Sequence, residues 1–338
     1  MITLDPVSQG VLGAALPSAL ANKDKLKTII WVGFLAGMAP DLDVLIQSPT
    51  DPILFLEYHR QFTHALAFIP VGALLCALVF HRFARHRLRF RELYLACFLG
   101  YATHGLLDAC TTYGTQLFWP FSNERVAWNS VSIIDPLFTL PLLALMGLTL
   151  IKSNPWYARA AMIWALSYLA FGALQRDRAE TLGQSLAAQR GHIPLRLSAK
   201  PGFANLFLWK VVYETDSDFY VDAVRTGLTP TWFEGEHTRK LNVGADLPWL
   251  DPLSQQADDL RRFNWFSMDY LAIDKDDSDY IIDIRYSVLP NEINALWGIR
   301  LNKQAGIADH AKYVVNRDMN SEASRKRMQT MVDMLFGR

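Results

Sequence analysis

Cysteine is scarce in this 338-residue chain: Cys76, Cys97 and Cys110 are the whole supply, all in the first half and at no metal-binding spacing. A disulfide framework is therefore not expected. Excess charge of either sign is also missing, with 33 basic and 33 acidic residues, so no global field recruits nucleic acid and none is expected as a partner. There is no Gly-rich phosphate loop, no GxSxG elbow and no CxxC pair, which removes three common catalytic readings. The first residues, "MITLDPVSQG", have no basic stretch and carry Asp5, which argues against a cleavable signal peptide.

What the chain does have is apolar length, unevenly spread. Residues 1–175 are dominated by apolar runs, while 176–338 are charged and turn-rich, so two domains are expected. The first reads as an α-helical membrane domain of about six transmembrane or membrane-embedded helices, most a little shorter than the ~20 residues that span a bilayer comfortably. Val7 to Ala21 pairs with Thr28 to Ile46, Ala65 to Phe80 with Leu93 to Ala109, and Leu137 to Ile151 with Trp156 to Leu174. A buried bundle in a soluble protein is the alternative, and three consecutive hairpins argue against it. The second domain reads as soluble α+β, rich in strands such as "NLFLWKVVYET", "DFYVDAVRT" and "YIIDIRYSVL", with "DKDDSD" as a hairpin tip. That acidic stretch is not a calcium loop, because Arg285 stands where the closing Glu belongs.

Charge orients the hairpins, since short cytoplasmic loops are enriched in Lys and Arg. Arg82, Arg85, Arg87, Arg89 and Arg91 fill one intra-hairpin loop, and Lys23, Lys25, Lys27, Lys152 and Arg159 mark the other two. With these three loops inside, residues 47–64, 110–135 and everything after about Leu174 lie outside. The first loop, with His81 and His86, then meets anionic lipid headgroups.

This topology gathers the polar residues that sit badly with lipid at the outer face: Asp41, Asp43, His59, His64, His104 and Asp108, with Asp5 and Asp135 at its border. Ionisable groups near a membrane are costly and usually functional. A lone histidine there is more often an interfacial hydrogen-bonding residue than a ligand; a co-located set reverses that balance. His104 and Asp108 are four apart and share one helical face, about 5–6 Å from each other, able to ligate one metal or two neighbouring ones. Imidazole with carboxylate suits Zn, with Mn or Fe as less favoured occupants. Asp41 and Asp43 would point to different faces of a regular helix, so Pro40 implies a distorted backbone there. One carboxylate then ligates while the other bridges or orients a histidine. "THAL" at Thr63 echoes "THGL" at Thr103, and "SQGVL" at Ser8 is a weaker relative with Gln9 in the histidine position.

The segments "DPVSQGVLGAAL", "GMAPDLDVLI", "HRQFTHAL" and "YATHGLLDACTTYGTQLFWPF" resemble the YdjM-type inner-membrane proteins over roughly residues 1–150. These are described as bacterial membrane-bound metal-dependent hydrolases, themselves distantly similar to zinc-dependent phospholipase C and P1-type nucleases. The resemblance implies Asp41, His59, His64, His104 and Asp108 as metal-site residues. Some relatives have histidine where Gln9 stands, which leaves the part played by the first helix open. Asp43, handling protons or orienting a ligand, and Arg60, receiving a phosphate, are the expected catalytic residues; Arg60 and Arg125 could equally pair with a ligand carboxylate.

Tyr113, Phe118, Trp119, Phe121 and Trp128 form either an interfacial aromatic belt or the wall of a groove for an amphiphilic substrate. His192, His237 and His310 show no acidic or nucleophilic pattern and read as surface residues. Three classes of function remain. The first is a hydrolase of a lipid or polyprenyl phosphoester at the outer face of the inner membrane, using metal-activated water. The second is a metal-binding sensor or transporter, and the third a membrane-anchored scaffold. Ligands confined to one face disfavour transport, which needs polar groups near the midplane.

Overall fold

Prolines and capping residues mark where the apolar runs become helices. In a computed structural model, which describes residues 6–316 and 322–337, the helices are α1 Pro6–Ala19, α2 Leu26–Met38, α3 Leu54–Tyr58, α4 Ile69–Ala84, α5 Phe90–Ala109, α6 Pro136–Lys152, α7 Pro155–Gln189, α8 Val243–Asp246, α9 Gln255–Phe266 and α10 Glu322–Phe336. After α2 the chain tightens into a 3-10 helix, Ala39–Leu45, with Pro40 at its start. This is the distortion that Pro40 implied, and it sets the directions of Asp41 and Asp43. At the start of α5 the Glu92 carboxylate accepts from the Arg89 amide at 3.0 Å, and Asp135 caps α6 ahead of Pro136.

The described residues form two compact units. The first comprises Met1–Ile46, Tyr58–Leu174 and Phe203–Asn205; the second Gln47–Glu57, Gln175–Gly202 and Leu206–Arg338. In the first, α1 packs on α2, α5 and α6, while α5 also packs on α2 and α4. Close approach is possible because glycines face each other: a Cβ on Gly13 would lie 2.7 Å from the Cα of Gly37, and one on Gly100 2.7 Å from the Gly33 carbonyl.

Among the described residues, three helical stretches are long and apolar enough to cross a membrane: Leu26–Leu45, Leu66–Ala84 and Pro155–Gln189. Pro136–Lys152 is apolar but shorter. The expectation of about six membrane helices is met in part, because length and composition support three. The helix expected to end at Leu174 continues instead through the "AETLGQSLAAQRG" segment as one 35-residue helix. No proline interrupts it, and Gly183 is accommodated by contact with Val211.

The second unit holds two antiparallel sheets. In the first, β1 Arg196–Pro201, β2 Leu208–Glu214, β3 Asp218–Arg225 and β4 Thr231–Phe233 run in that order, with β5 His237–Arg239 also pairing β3. The other orders β6 Leu271–Ile273, β7 Tyr280–Asp283, β8 Trp297–Arg300 and β9 Lys312–Val315. "DKDDSD" joins β6 to β7 as the expected hairpin tip. Val212, Phe219 and Val221 meet Tyr270, Tyr280, Ile282 and Ile284 in a shared core. Trp265 and Phe266 end α9, whose N-cap is Ser254. Arg285 pairs with Asp283 in the interior at 2.7 Å, both fully buried.

Candidate metal centre

His104 and Asp108 sit one turn apart on α5, with no exposed side-chain surface, and His104 Nε2 lies 3.8 Å from Asp108 Oδ2. Gly105, between them, is where the chain before α4 comes closest: a Cβ there would stand 2.2 Å from the carbonyl oxygen of His64. That glycine lets His64 reach the helix. His64 Nε2 is then 3.1 Å from Asp108 Oδ2 and 3.0 Å from His104 Nε2. Asp41, brought in by the 3-10 turn, places Oδ1 3.3 Å from His104 Nε2 and 3.5 Å from His64 Nε2. Donor atoms of these four residues lie within 4.8 Å of one another.

Hydrogen bonds on the far sides of the rings assign the tautomers. His104 Nδ1 donates to the Gly37 carbonyl at 2.5 Å, so its Nε2 carries a lone pair. The Thr63 hydroxyl donates to Asp43 Oδ2 at 2.8 Å and so accepts from His64 Nδ1 at 2.9 Å, which makes Nδ1 the protonated nitrogen of a neutral His64 ring. With no ion present, burial is outweighed by the hydrogen bonds to Asp108, Asp41 and Asp43, and the His64 pKa rises well above the ordinary imidazole value. Two Nε2 atoms, 3.0 Å apart and able to share a proton, and two carboxylate oxygens therefore face one point. Asp108 Oδ2, though completely buried, accepts no aligned hydrogen bond. Such a set calls for positive charge among its members, from the Arg60 guanidinium beside Asp108 and from a proton or a divalent ion between the histidines, and N/O donors of this kind suit zinc or a similar ion.

Asp43 plays a different part. Its Oδ1 takes His59 Nδ1 at 2.8 Å, and its Oδ2 accepts from the Arg60 amide at 3.0 Å as well as from Thr63. His59 is 1% exposed, and its Nε2 has no partner. Asp41, Asp43 and His59 make a second group of donors within 4.8 Å, sharing Asp41 with the first. Burial pushes the His59 pKa below the ordinary imidazole value, outweighing the Asp43 hydrogen bond that acts the other way. The ring is held neutral, as ligation requires.

Arg60 stands at a positive φ of 66°, with its guanidinium 4.7 Å from the Tyr113 ring centroid. Its Nε is 3.1 Å from Asp108 Oδ2 and its Nη1 donates to Thr111. Of the alternatives weighed for Arg60, pairing with a carboxylate is the one the geometry displays. Arg125 is buried and donates to the Gly114 carbonyl. The aromatics divide: Tyr113 is buried, whereas Phe118, Phe121 and Trp128 are exposed.

Gln9 was left open by sequence reasoning and lies at the centre. Its side-chain amide donates to Asp108 Oδ1 at 2.7 Å, orienting the carboxylate whose other oxygen faces the histidines. The weak "SQGVL" echo was the signal for it. Asp135 is a helix cap, accepting from the Leu137 and Phe138 amides and from the Tyr168 hydroxyl at 2.8 Å, and Asp5 lies outside the described residues. His310, expected at the surface without an acidic partner, is half-buried and bonded to Asp259.

Comparison with known proteins adds a family. The family model described as YdjM inner membrane protein matches residues 4–179. The uncharacterized protein YfhP of Bacillus subtilis is 25% identical over 146 residues, covering 43% of this chain and 42% of YfhP. The inner membrane protein YbcI of Escherichia coli is 34% identical over 109 residues, 31% of this chain and 62% of YbcI. The chain thus spans less than two thirds of the length of these relatives. No solved structure matches.

Proposed function

The chain belongs to the YdjM inner membrane protein family, and from that premise we propose that it is a metal-dependent hydrolase of an amphiphilic phosphoester at the outer face of the inner membrane. The observation that carries the reading is the convergence of Asp41, His64, His104 and Asp108 on one point with both Nε2 atoms turned inward. These four would hold the ion, with His59 as a further donor beside Asp41. A divalent ion bound there supplies Lewis acidity and lowers the pKa of a coordinated water to about 7. Asp43, hydrogen-bonded to His59 and close to His64, supports the orienting one of the two roles expected of it, as a positioning group for both imidazoles. Arg60 holds Asp108 and offers positive charge beside the centre, the property a phosphoester substrate needs. Exposed Leu42, Leu45, Phe118 and Phe121 favour a substrate with an apolar tail.

Metal analysis of detergent-purified protein, followed by assays on a phospholipid and polyprenyl-phosphate panel, tests this. Bound Zn or Mn with chelator-sensitive turnover is the expected result. Tight reversible metal binding with no turnover of any panel member would replace catalysis by sensing, a reading favoured by one feature: of the four converging side chains only Asp41 reaches solvent, at 16% exposure.

A further inference from the structure

The segment Gln47–Glu57 joins the two arms of the centre: Asp43 lies four residues before it and His59 two residues after it. It belongs to the second unit. Ile53 and Leu56 are its apolar anchors, at 0% and 1% exposure, and the Phe55 ring meets Tyr313 edge-on at 5.1 Å. Its two acidic side chains converge on one guanidinium from α9. Arg262 Nη1 and Nη2 contact Asp51 Oδ1 and Oδ2 at 3.2 and 2.7 Å, and Nε contacts Glu57 at 2.5 Å. Asp259, fully buried, takes Arg262 Nη1 at 3.1 Å and also His310 and the Ala311 amide.

We infer that Arg262 is a positioning residue for the metal centre, holding the strap between Asp43 and His59 in one conformation. The inference rests on the proposed reading of that centre. The bonds from His59 and the Arg60 amide to Asp43 close a loop in the chain, and closing a loop whose interior is free costs conformational entropy. With the interior already fixed by Arg262, that cost is met when the second unit folds. Chain continuity alone transmits the effect. Three carboxylates share one guanidinium here, so removing the cation leaves Asp51, Glu57 and Asp259 repelling one another and releases the strap. A lysine can supply the charge but not the three-nitrogen fork.

The test compares wild type, Arg262→Lys and Arg262→Met as full chains in detergent. Zinc affinity is measured by equilibrium dialysis, and hydrogen exchange at residues 58–64 is measured without metal. Arg262→Met should bind zinc at least about tenfold more weakly and exchange the Arg60 amide faster, with Arg262→Lys between. Exchange across β2 and β3 reports whether the second unit stays folded. If it does not, the Asp51→Asn, Glu57→Gln double variant, which leaves α9 intact, carries the same comparison. Unchanged exchange at 58–64 in a folded variant overturns the inference. If wild type binds no zinc yet exchange still rises in the variants, Arg262 keeps its role and the metal reading falls.

Discussion

A buried imidazole with its Nδ1–H already committed turns its Nε2 to whatever cation, proton or metal, lies on its other side. His64 and His104 both turn Nε2 toward the same point, and Asp108 Oδ2 joins them without an aligned hydrogen bond. His64→Ala, His104→Ala and Asp108→Ala should therefore each lose bound zinc or manganese while the protein still inserts. His81→Ala and His86→Ala, on the basic loop, should retain it; equal metal content in all five variants, read by mass spectrometry, would remove the assignment. Gln9 acts one step back. Gln9→Ala should weaken metal binding by about 10–100-fold without abolishing it, the usual cost of losing a group that orients a ligand.

The second unit carries its own residue-scale signature. Lys200 and Lys210 stand opposite each other on β1 and β2, 5% and 4% exposed. Burial pulls both pKa values down to about 7, against 10.5 for a free lysine. Arg285 nearby adds to the fall at Lys200. Below about pH 7 folded and unfolded chains both hold these protons. Between about 7 and 10.5 the unfolded chain binds more of them, so stability rises with pH across that window. The slope is at most about 1.4 kcal/mol per pH unit for each lysine. Thermal unfolding should therefore shift upward from pH 7 to 9, and Lys200→Met should flatten the rise. An unchanged slope in that variant would mean Lys200 stays charged in the fold.

At the scale of elements, capping separates groups that share a face of the sequence map but not a function. Asp135 satisfies two amides at the start of α6 and accepts from Tyr168. Asp135→Ala should cost about 1 kcal/mol for the cap, seen as a lower melting temperature, with metal content unchanged. A loss of metal in that variant would bring Asp135 back into the centre. The 3-10 turn after α2 does what no regular helix could. It aims Asp41 at His64 and His104 and Asp43 at His59, although the two acids are only two residues apart.

For the whole molecule, membership of an inner-membrane family and three membrane-length helices place the chain in the bilayer, and the proposed outer position of the centre depends on orientation. The five arginines from Arg82 to Arg91 predict it. An alkaline phosphatase reporter fused after Arg87 should be inactive, and fusions after Phe121 or after residue 180 should be active. The reverse pattern would move the centre to the cytoplasmic side.

Apolar periodicity, basic loops and the PDxD, HRxxTH and HxxxD motifs are local properties, and from them the sequence alone determined that the first half is helical with membrane-length apolar stretches, that the second is rich in strands, and which five residues are candidates for a metal. Three matters needed the tertiary structure, because each depends on groups far apart in the chain. Gln9 reaches Asp108 across 99 positions, only because α1 and α5 pack at glycine distance. The Nδ1 partner of His104 is the Gly37 carbonyl, a backbone group that carries no motif of its own. Arg262, more than 200 residues from Asp51, grips the strap between Asp43 and His59. Spacing along a chain reports which side chains share a helix face; which distant donor completes a buried carboxylate is decided only when helices and strands pack.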